Sequence, residues 1–312
     1  MTDLSSIQAA TADQQLEALA LLFADLPESA RFQQASNAWQ TLRHHPNSGA
    51  LLVALDGDQV VAAVYGQLMQ GGAAVIFPPR LRQDGKLAVS DEERLAISLL
   101  DQLEAELQRR DVSLLQANLP VAASEDARLL RQAGFEHQIT LSYLAIERTE
   151  ISPSKPICDL EFQPFQETEI GRFEAVVEAT YANTFDCPEL NGARRVADVV
   201  DGYRHTGVNA PDGWFFVRKG ADDVGCLVLA DHPALDEWEL VYVGLVPTAR
   251  GRGWGEQATR FACWQAFLAG RGGVVLGVDE RNDPAIAIYS RVGFQVRDRR
   301  RVLLKILRNG DS

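Results

Sequence analysis

The stretch E-W-E-L-V-Y-V-G-L-V-P-T-A-R-G-R-G-W-G, residues 237–255, decides how the chain is read. A β-rich run breaks at Pro247, whose nitrogen cannot donate to a sheet ladder, and opens into a loop with glycines at 251, 253 and 255 before a helix at Glu256. Glycine removes the Cβ where backbone must approach a bound group, and it allows positive φ. The amides of such a loop, with the positive end of the following helix dipole, can cradle a phosphate or pyrophosphate. Arg250 and Arg252 add local positive charge. Taken alone, the pattern fits a tight structural turn as well. No Gly-Lys-Ser/Thr follows, which excludes a Walker A loop. The spacing also lacks the third glycine of a dinucleotide fingerprint and falls late in the chain.

A second constellation lies downstream at 281–294, R-N-D-P-A-I-A-I-Y-S-R-V-G-F. Asp283 suits an N-cap, Pro284 the first helical position and Gly293 the residue just past the end, so a short helix is expected between them. Ala285, Ile288 and Val292 share one face, and Tyr289 stands beside it. Helix geometry leaves Tyr289 open to two readings, a core aromatic or a working hydroxyl. Between the two constellations come a helix, Glu256–Ala269, and an apolar strand, Gly273–Val278.

Together the run V-P-x-x-R-G-x-G-x-G, the helix, the strand and N-x-x-A-x-x-x-Y-x-x-x-G-F closely resemble motifs A and B of the GNAT acetyl-coenzyme A-dependent N-acetyltransferases. The resemblance covers residues 158–312. It implies an α+β (mixed α/β) fold, a curved mixed sheet flanked by helices. It also implies that Arg250, Gly251, Arg252, Gly253, Trp254 and Gly255 hold the pyrophosphate of acetyl-coenzyme A, the co-substrate. Leu245 and Val246 would then lie beside the pantetheine arm. The family's asparagine matches Asn282 and its tyrosine matches Tyr289.

Length and repetition extend the picture. At 312 residues the chain is about twice a typical domain. The segment 149–158, T-E-I-S-P-S-K-P-I-C, reads as a linker and cuts it into 1–150 and 151–312. Both halves repeat one order of elements. An amphipathic helix (14–23; 167–180) precedes β-runs (50–55 and 60–67; 213–218 and 224–230). A long helix (92–110; 256–269) precedes an apolar strand (113–117; 273–278) and a short helix ending in Gly-Phe (127–135; 287–294). Strand-like residues 139–146 close the first half. This is the mark of an internal duplication. The first copy is degenerate: F-P-P-R-L-R-Q-D-G-K at 77–86 stands where the phosphate loop belongs, Leu130 at the tyrosine position and Ala123 at the asparagine position. It is expected to be non-catalytic. The layout resembles that of tandem two-domain members such as mycothiol synthase.

Charge and cysteines bound the partners. Thirty Lys and Arg against 43 Asp and Glu leave a formal net charge of −13, which repels nucleic acid and anionic membrane. The basic run R-D-R-R-R at 297–301 reads as the alternation of a closing strand. Four cysteines without a C-x-x-C pair make a metal site unexpected, and they read as small core hydrophobes in a reduced, cytoplasmic protein. The N-terminal residues carry no signal-peptide pattern. The expected partner is a small-molecule or peptide amine, and the chain is expected to be a monomer, an internal pseudo-dimer, or a homodimer.

Acetyl transfer to a primary amine in a ternary complex needs a base, a polarised carbonyl and a proton for the leaving thiolate. Tyr289 is the expected general acid, since a phenol of ordinary pKa about 10 stays protonated near neutrality. A backbone amide near Leu245 would polarise the carbonyl. Glu239, on the strand before Pro247, is the expected general base, directly or through water, with Glu237 and Tyr242 in reserve. A bulge in that strand would turn Glu239 to the other face. Acceptor contacts are expected from 181–192, with Asp186 and Glu189 as acids and Tyr181 and Phe185 as walls. His205 and His232 are read as loop residues without a role. Two rival readings share the motifs: an acyl-coenzyme A-binding regulatory module without turnover, and an N-acyltransferase using another acyl group.

Overall fold

The computed structural model describes residues 6–82, 88–208 and 212–307. The chain forms two compact units, Met1–Gln138 with Arg301–Ser312, and Ile139–Arg300.

The first unit runs β1 (Ile7–Ala9), α1 (Ala12–Leu22), α2 (Glu28–His44), β2 (Gly49–Asp56), β3 (Gln59–Met69), β4 (Ala73–Leu81), α3 (Val89–Gln108), β5 (Leu114–Pro120) and α4 (Ser124–Gln132). Side chains alternate across its sheet. Val53, Val60 and Tyr65 pack against Leu19 and Leu22 of α1, while Leu52, Val64 and Ile76 pack against Leu99, Leu103 and Leu107 of α3. That leucine spacing of three to four is the core-facing stripe of an amphipathic helix.

The second unit comprises β6 (His137–Glu147), β7 (Glu161–Pro164), α5 (Ile170–Tyr181), α6 (Val196–Arg204), β8 (Trp214–Lys219), β9 (Asp222–His232), β10 (Glu237–Leu245), α7 (Trp254–Ala269), β11 (Gly273–Asp279), α8 (Asp283–Val292) and the start of β12 (Gln295–Ile306). Its strands run in the order β12-β6-β11-β10-β9-β8-β7. Phe215, Val217, Leu227 and Leu229 face the core under α7 and α8; Trp214, Phe216, Cys226 and Val228 face the one under α5 and α6. Each unit is thus a mixed sheet with helices on both faces. Among the described residues no helix is long and apolar enough to cross a membrane.

The units do not divide at 149–158. Strand β6, which precedes that segment, pairs antiparallel with β11 from Glu147↔Gly273 to Leu141↔Asp279, and Leu144 and Ile146 enter the second core. Ile151, inside the proline-rich segment, is buried there too. Conversely, residues 301–306 of β12 belong to the first unit, where Leu303 is fully buried and Leu307 N–H donates to Ser113 O at 2.8 Å. Composition marks a loop, whereas strand pairing marks a unit.

Helices α2 and α6 and strands β1 and β4 have no counterpart in the sequence expectations. Helix α2 buries only Ala35 and Leu42 and carries no strong apolar stripe, whereas α6 carries Val196, Val199, Val200 and Tyr203 at helical spacing but over only nine residues. Strand β4 includes Phe77–Leu81, part of the stretch assigned to a degenerate loop; residues 83–86 of that stretch lie outside the described ones. The two prolines fall where the β3–β4 register shifts, between Tyr65↔Phe77 and Ala63↔Arg80, and where β4 has left β5, so their missing N–H groups cost no ladder bond. Of the cysteines, Cys226 and Cys263 are core residues and burial pushes their thiols up, but Cys158 and Cys187 are only half-buried.

Candidate active site

The site is built where β10 parts from β11. Their parallel pairing covers only Glu237–Glu239 against Gly273–Val275, while β10 stays paired to β9 as far as Leu245↔Gly225. Past Glu239, one edge of β10 is therefore open. Val246 N–H donates to Val224 O at 3.0 Å, so alternation turns the backbone groups of Val243 and Leu245 toward that edge. A bulge between Leu240 and Tyr242 leaves Val241 as the extra residue. It comes after Glu239 and leaves that side chain on the face opposite Trp238 and Leu240, which pack into the core under α7 and α8.

The glycine-rich loop follows. Gly251 and Gly253 sit at φ 74° and 76°, and a Cβ at either would meet nothing within 4 Å. Their conformation, not crowding, requires glycine, and the space above them is open. Helix α7 begins at Trp254 with Gly253 as N-cap, so its first-turn amides have no intrahelical acceptor and face outward with the positive helix end. The Arg252 guanidinium and the Lys219 ammonium lie 5.1 and 6.0 Å from the centre of the buried Trp254 ring. Arg250 does something else. Its guanidinium donates to the carbonyls of Leu245 (3.0 Å), Asn183 (2.8 Å) and Thr180 (2.7 Å), tying the loop to the end of α5. Gly255 is close-packed: a Cβ there would lie 3.0 Å from Ile288 Cδ1 of α8.

The N-cap of helix α8 falls one residue earlier than expected. Asn282, not Asp283, is the N-cap; its Oδ1 accepts from Ala285 N–H at 3.3 Å, and Gly293 closes the helix at φ 116°. Asn282 also hydrogen-bonds the Asp186 carboxylate. Tyr289 is buried, edge-on to Phe294 at 5.8 Å. Burial, then the nearby Asp186 charge, pushes its phenol well above the usual value. Burial likewise raises Asp186, despite the N–H of Asp279 donating to Oδ1 at 3.1 Å.

The 181–192 segment is anchored to this corner. Arg281 bridges the fully buried Asp279 (2.6 Å) and Glu189 (2.5 and 2.8 Å). Glu189 is thereby held by a guanidinium of the chain itself, whereas Phe185 stands exposed. Tyr181 turns inward, edge-on to Tyr242, which stacks on Tyr203 and shares a 2.7 Å hydrogen bond with Thr180. Of the reserve bases, Tyr242 is locked in that cluster and Glu237 is ion-paired with Arg297.

Glu239 has a different setting. Its Oε2 lies 2.8 Å from His232 Nε2, both side chains being partly exposed. His232 is not a loop residue but the last residue of β9, opposite Glu237 and so diagonal to Glu239. Tyr143 of β6 joins them on this face, lying over Gly277, and burial followed by the Glu239 charge raises its phenol. Neither contact is legible in the sequence, because both depend on register. Tyr289 packs with Trp238 and Leu240 on one face of the sheet and Glu239 points from the other. The two groups flank the opening from opposite sides. Among the described residues no group of three or more His, Cys, Asp or Glu could hold a metal ion.

Residues 180–294 match the family described as Acetyltransferase (GNAT) family. A mycothiol acetyltransferase of Streptomyces bingchenggensis is 38% identical over 126 residues, 40% of this chain and 40% of that protein. One from Catenulispora acidiphila is 32% identical over 39% of this chain and 40% of its own length. Both matches thus span less than half of those relatives. A mycothiol acetyltransferase of Nocardioides sp. is 26% identical over 88% of this chain and 93% of its own. The fold is similar to that of a GCN5-related N-acetyltransferase from Sphaerobacter thermophilus, with a TM-score of 0.62 at 17% identity over 99% of this chain and 98% of that one. It is also similar to a tandem GNAT protein from the clavulanic acid biosynthesis pathway, with a TM-score of 0.52 at 14% identity over 98% and 99%.

Proposed function

We propose that the chain, whose residues 180–294 match the acetyltransferase (GNAT) family, transfers the acetyl group of acetyl-coenzyme A to a primary amine by direct attack with both substrates bound. The observation that carries the reading is the parting of β10 from β11 beside a loop of left-handed glycines. The open edge offers backbone groups of Val243 and Leu245 to an extended amide-bearing arm. Outward amides at the start of α7, with Arg252 and Lys219, are the donor set a pyrophosphate needs. Leu245, Val246, Gly251, Arg252, Gly253, Trp254 and Gly255 would hold the co-substrate, with Arg250 and Asn282 keeping the loop and α8 in place. Bound there, acetyl-coenzyme A supplies the activated acyl group.

The protein's own residues then have distinct tasks. Glu239 takes a proton from the acceptor ammonium, directly or through water. A backbone amide near Leu245 polarises the carbonyl. Tyr289, held protonated by burial, gives its proton to the departing sulfur and is restored by the second proton that the nitrogen loses as the amide forms. The Glu239 carboxylate beside the Tyr143 phenol suits a cationic amine better than an anion, in keeping with the net charge of −13. The first unit, 1–150 in the sequence division, is proposed to be non-catalytic: its Leu130 is wholly buried and brings no hydroxyl.

The test is thiol release from acetyl-coenzyme A against a panel of amines, beginning with the mycothiol acceptor to which the relatives' names point. Release that depends on an amine supports the reading. Tight acetyl-coenzyme A binding without release for any amine would favour a regulatory binding module instead. Replacing acetyl by longer acyl groups in the same assay separates acetyl from other acyl transfer.

A further inference from the structure

We propose that His232 is the group through which Glu239 returns its proton to water, a positioning residue for the reaction and not an incidental surface histidine. The inference rests on the acetyl-transfer reading above. An alkylammonium acceptor brings three N–H hydrogens. The amide product keeps one and the sulfur takes one, so one proton must reach solvent in every turnover. Glu239 holds only one at a time and has to be emptied before the next acceptor binds.

His232 is the partner the fold supplies. Its Nε2 lies 2.8 Å from Glu239 Oε2. Its side chain is 25% exposed, so water reaches the residue that touches the carboxylate. In the balanced step, an N–H bond of the ammonium breaks and an O–H bond forms on Glu239. That O–H bond breaks as Nε2–H forms on the Nδ1–H tautomer and the Nδ1 proton passes to water; the resulting Nε2–H tautomer donates to the emptied carboxylate and returns to the Nδ1–H form by proton exchange with water before the next turnover. An imidazole can do this because it has two nitrogens and exchanges protons near neutrality.

Neighbouring charges leave the pair intact. Glu237, on the same face, is held by Arg297. Asp231 is held by Arg271 at 2.7 and 2.8 Å. Tyr143 approaches from β6, with Asp298 and Arg300 of β12 beyond it. The ring position is set by the strand end, since Pro233 begins a turn directly after His232.

The experiment compares H232A, H232Q and E239Q in the full chain, following amine-dependent thiol release, the KM for acetyl-coenzyme A and rescue by free imidazole, with thermal melts alongside. The expected result for H232A is a fall in kcat of about 10²-fold, the low end of proton-transfer effects, with KM for acetyl-coenzyme A unchanged and activity rising with added imidazole. H232Q keeps an N–H donor for Glu239 but cannot carry a proton, and should stay as slow as H232A without melting earlier than wild type. Full activity in H232Q would overturn the proposal, reducing His232 to an orienting hydrogen bond. Full activity in E239Q would instead remove Glu239 as base, a failure of the broader reading that is told apart from the first.

Discussion

Tyr289 and Glu239 face opposite problems at the scale of single residues. The general acid proposed here must keep its proton until the sulfur leaves, and burial would do this for Tyr289 by penalising the phenolate. Y289F should therefore lower kcat by about 10²-fold while leaving acetyl-coenzyme A affinity nearly unchanged, which steady-state kinetics and calorimetry would check. The sign of the shift has a second consequence. Because burial raises the phenol above its ordinary value of about 10, any alkaline loss of kcat below that pH must come from another group. An alkaline limb near neutrality in wild type that disappears in Y289F would contradict this. Both residues are legible from motif and offset. Their partners are not: Asp186, His232 and Tyr143 are remote in sequence or separated by a turn, and only strand register or a loop's return brings them within reach.

Glycine placement and strand length govern the elements. At Gly253 the left-handed conformation is the only demand, since a Cβ would meet nothing. G253A should cost about 1–2 kcal/mol of local strain and raise the KM for acetyl-coenzyme A more than it lowers kcat. At Gly255 the conformation is helical and the nearest atom is the flexible tip of Ile288, so G255A is expected to be the milder variant in the same assay. The loop is readable because glycine at every second position between a strand and a helix is a purely local pattern. Arg250 reads as a free cation in the sequence and is not one: three backbone carbonyls converge on it, a geometry invisible to composition. Helix α2 leaves no periodic trace because it buries so few side chains, whereas α6 repeats Val196, Val199, Val200 and Tyr203 over only nine residues.

Across the whole molecule, each unit depends on a strand that the linear division assigns elsewhere. Leu303 is fully buried in the first core although it lies near the end of the chain. L303A should destabilise the first unit by about 2–5 kcal/mol, as large-to-small core changes do, measured as a shifted urea transition. A fragment beginning at Ser152 lacks β6 and exposes the edge of β11, so it should be markedly less stable than one beginning at His137; equal melting temperatures would contradict the pairing of these strands. By itself, the amino-acid sequence determined the duplicated order of helices and strands, the phosphate-type loop and the elements that carry Tyr289 and Glu239, the proposed acid and base, because these rest on local periodicity, turn chemistry and short spacing. The tertiary structure alone decided where one unit ends, which face of β10 carries Glu239 and which histidine touches it, because strand pairing and register are contacts between distant residues that no local pattern encodes.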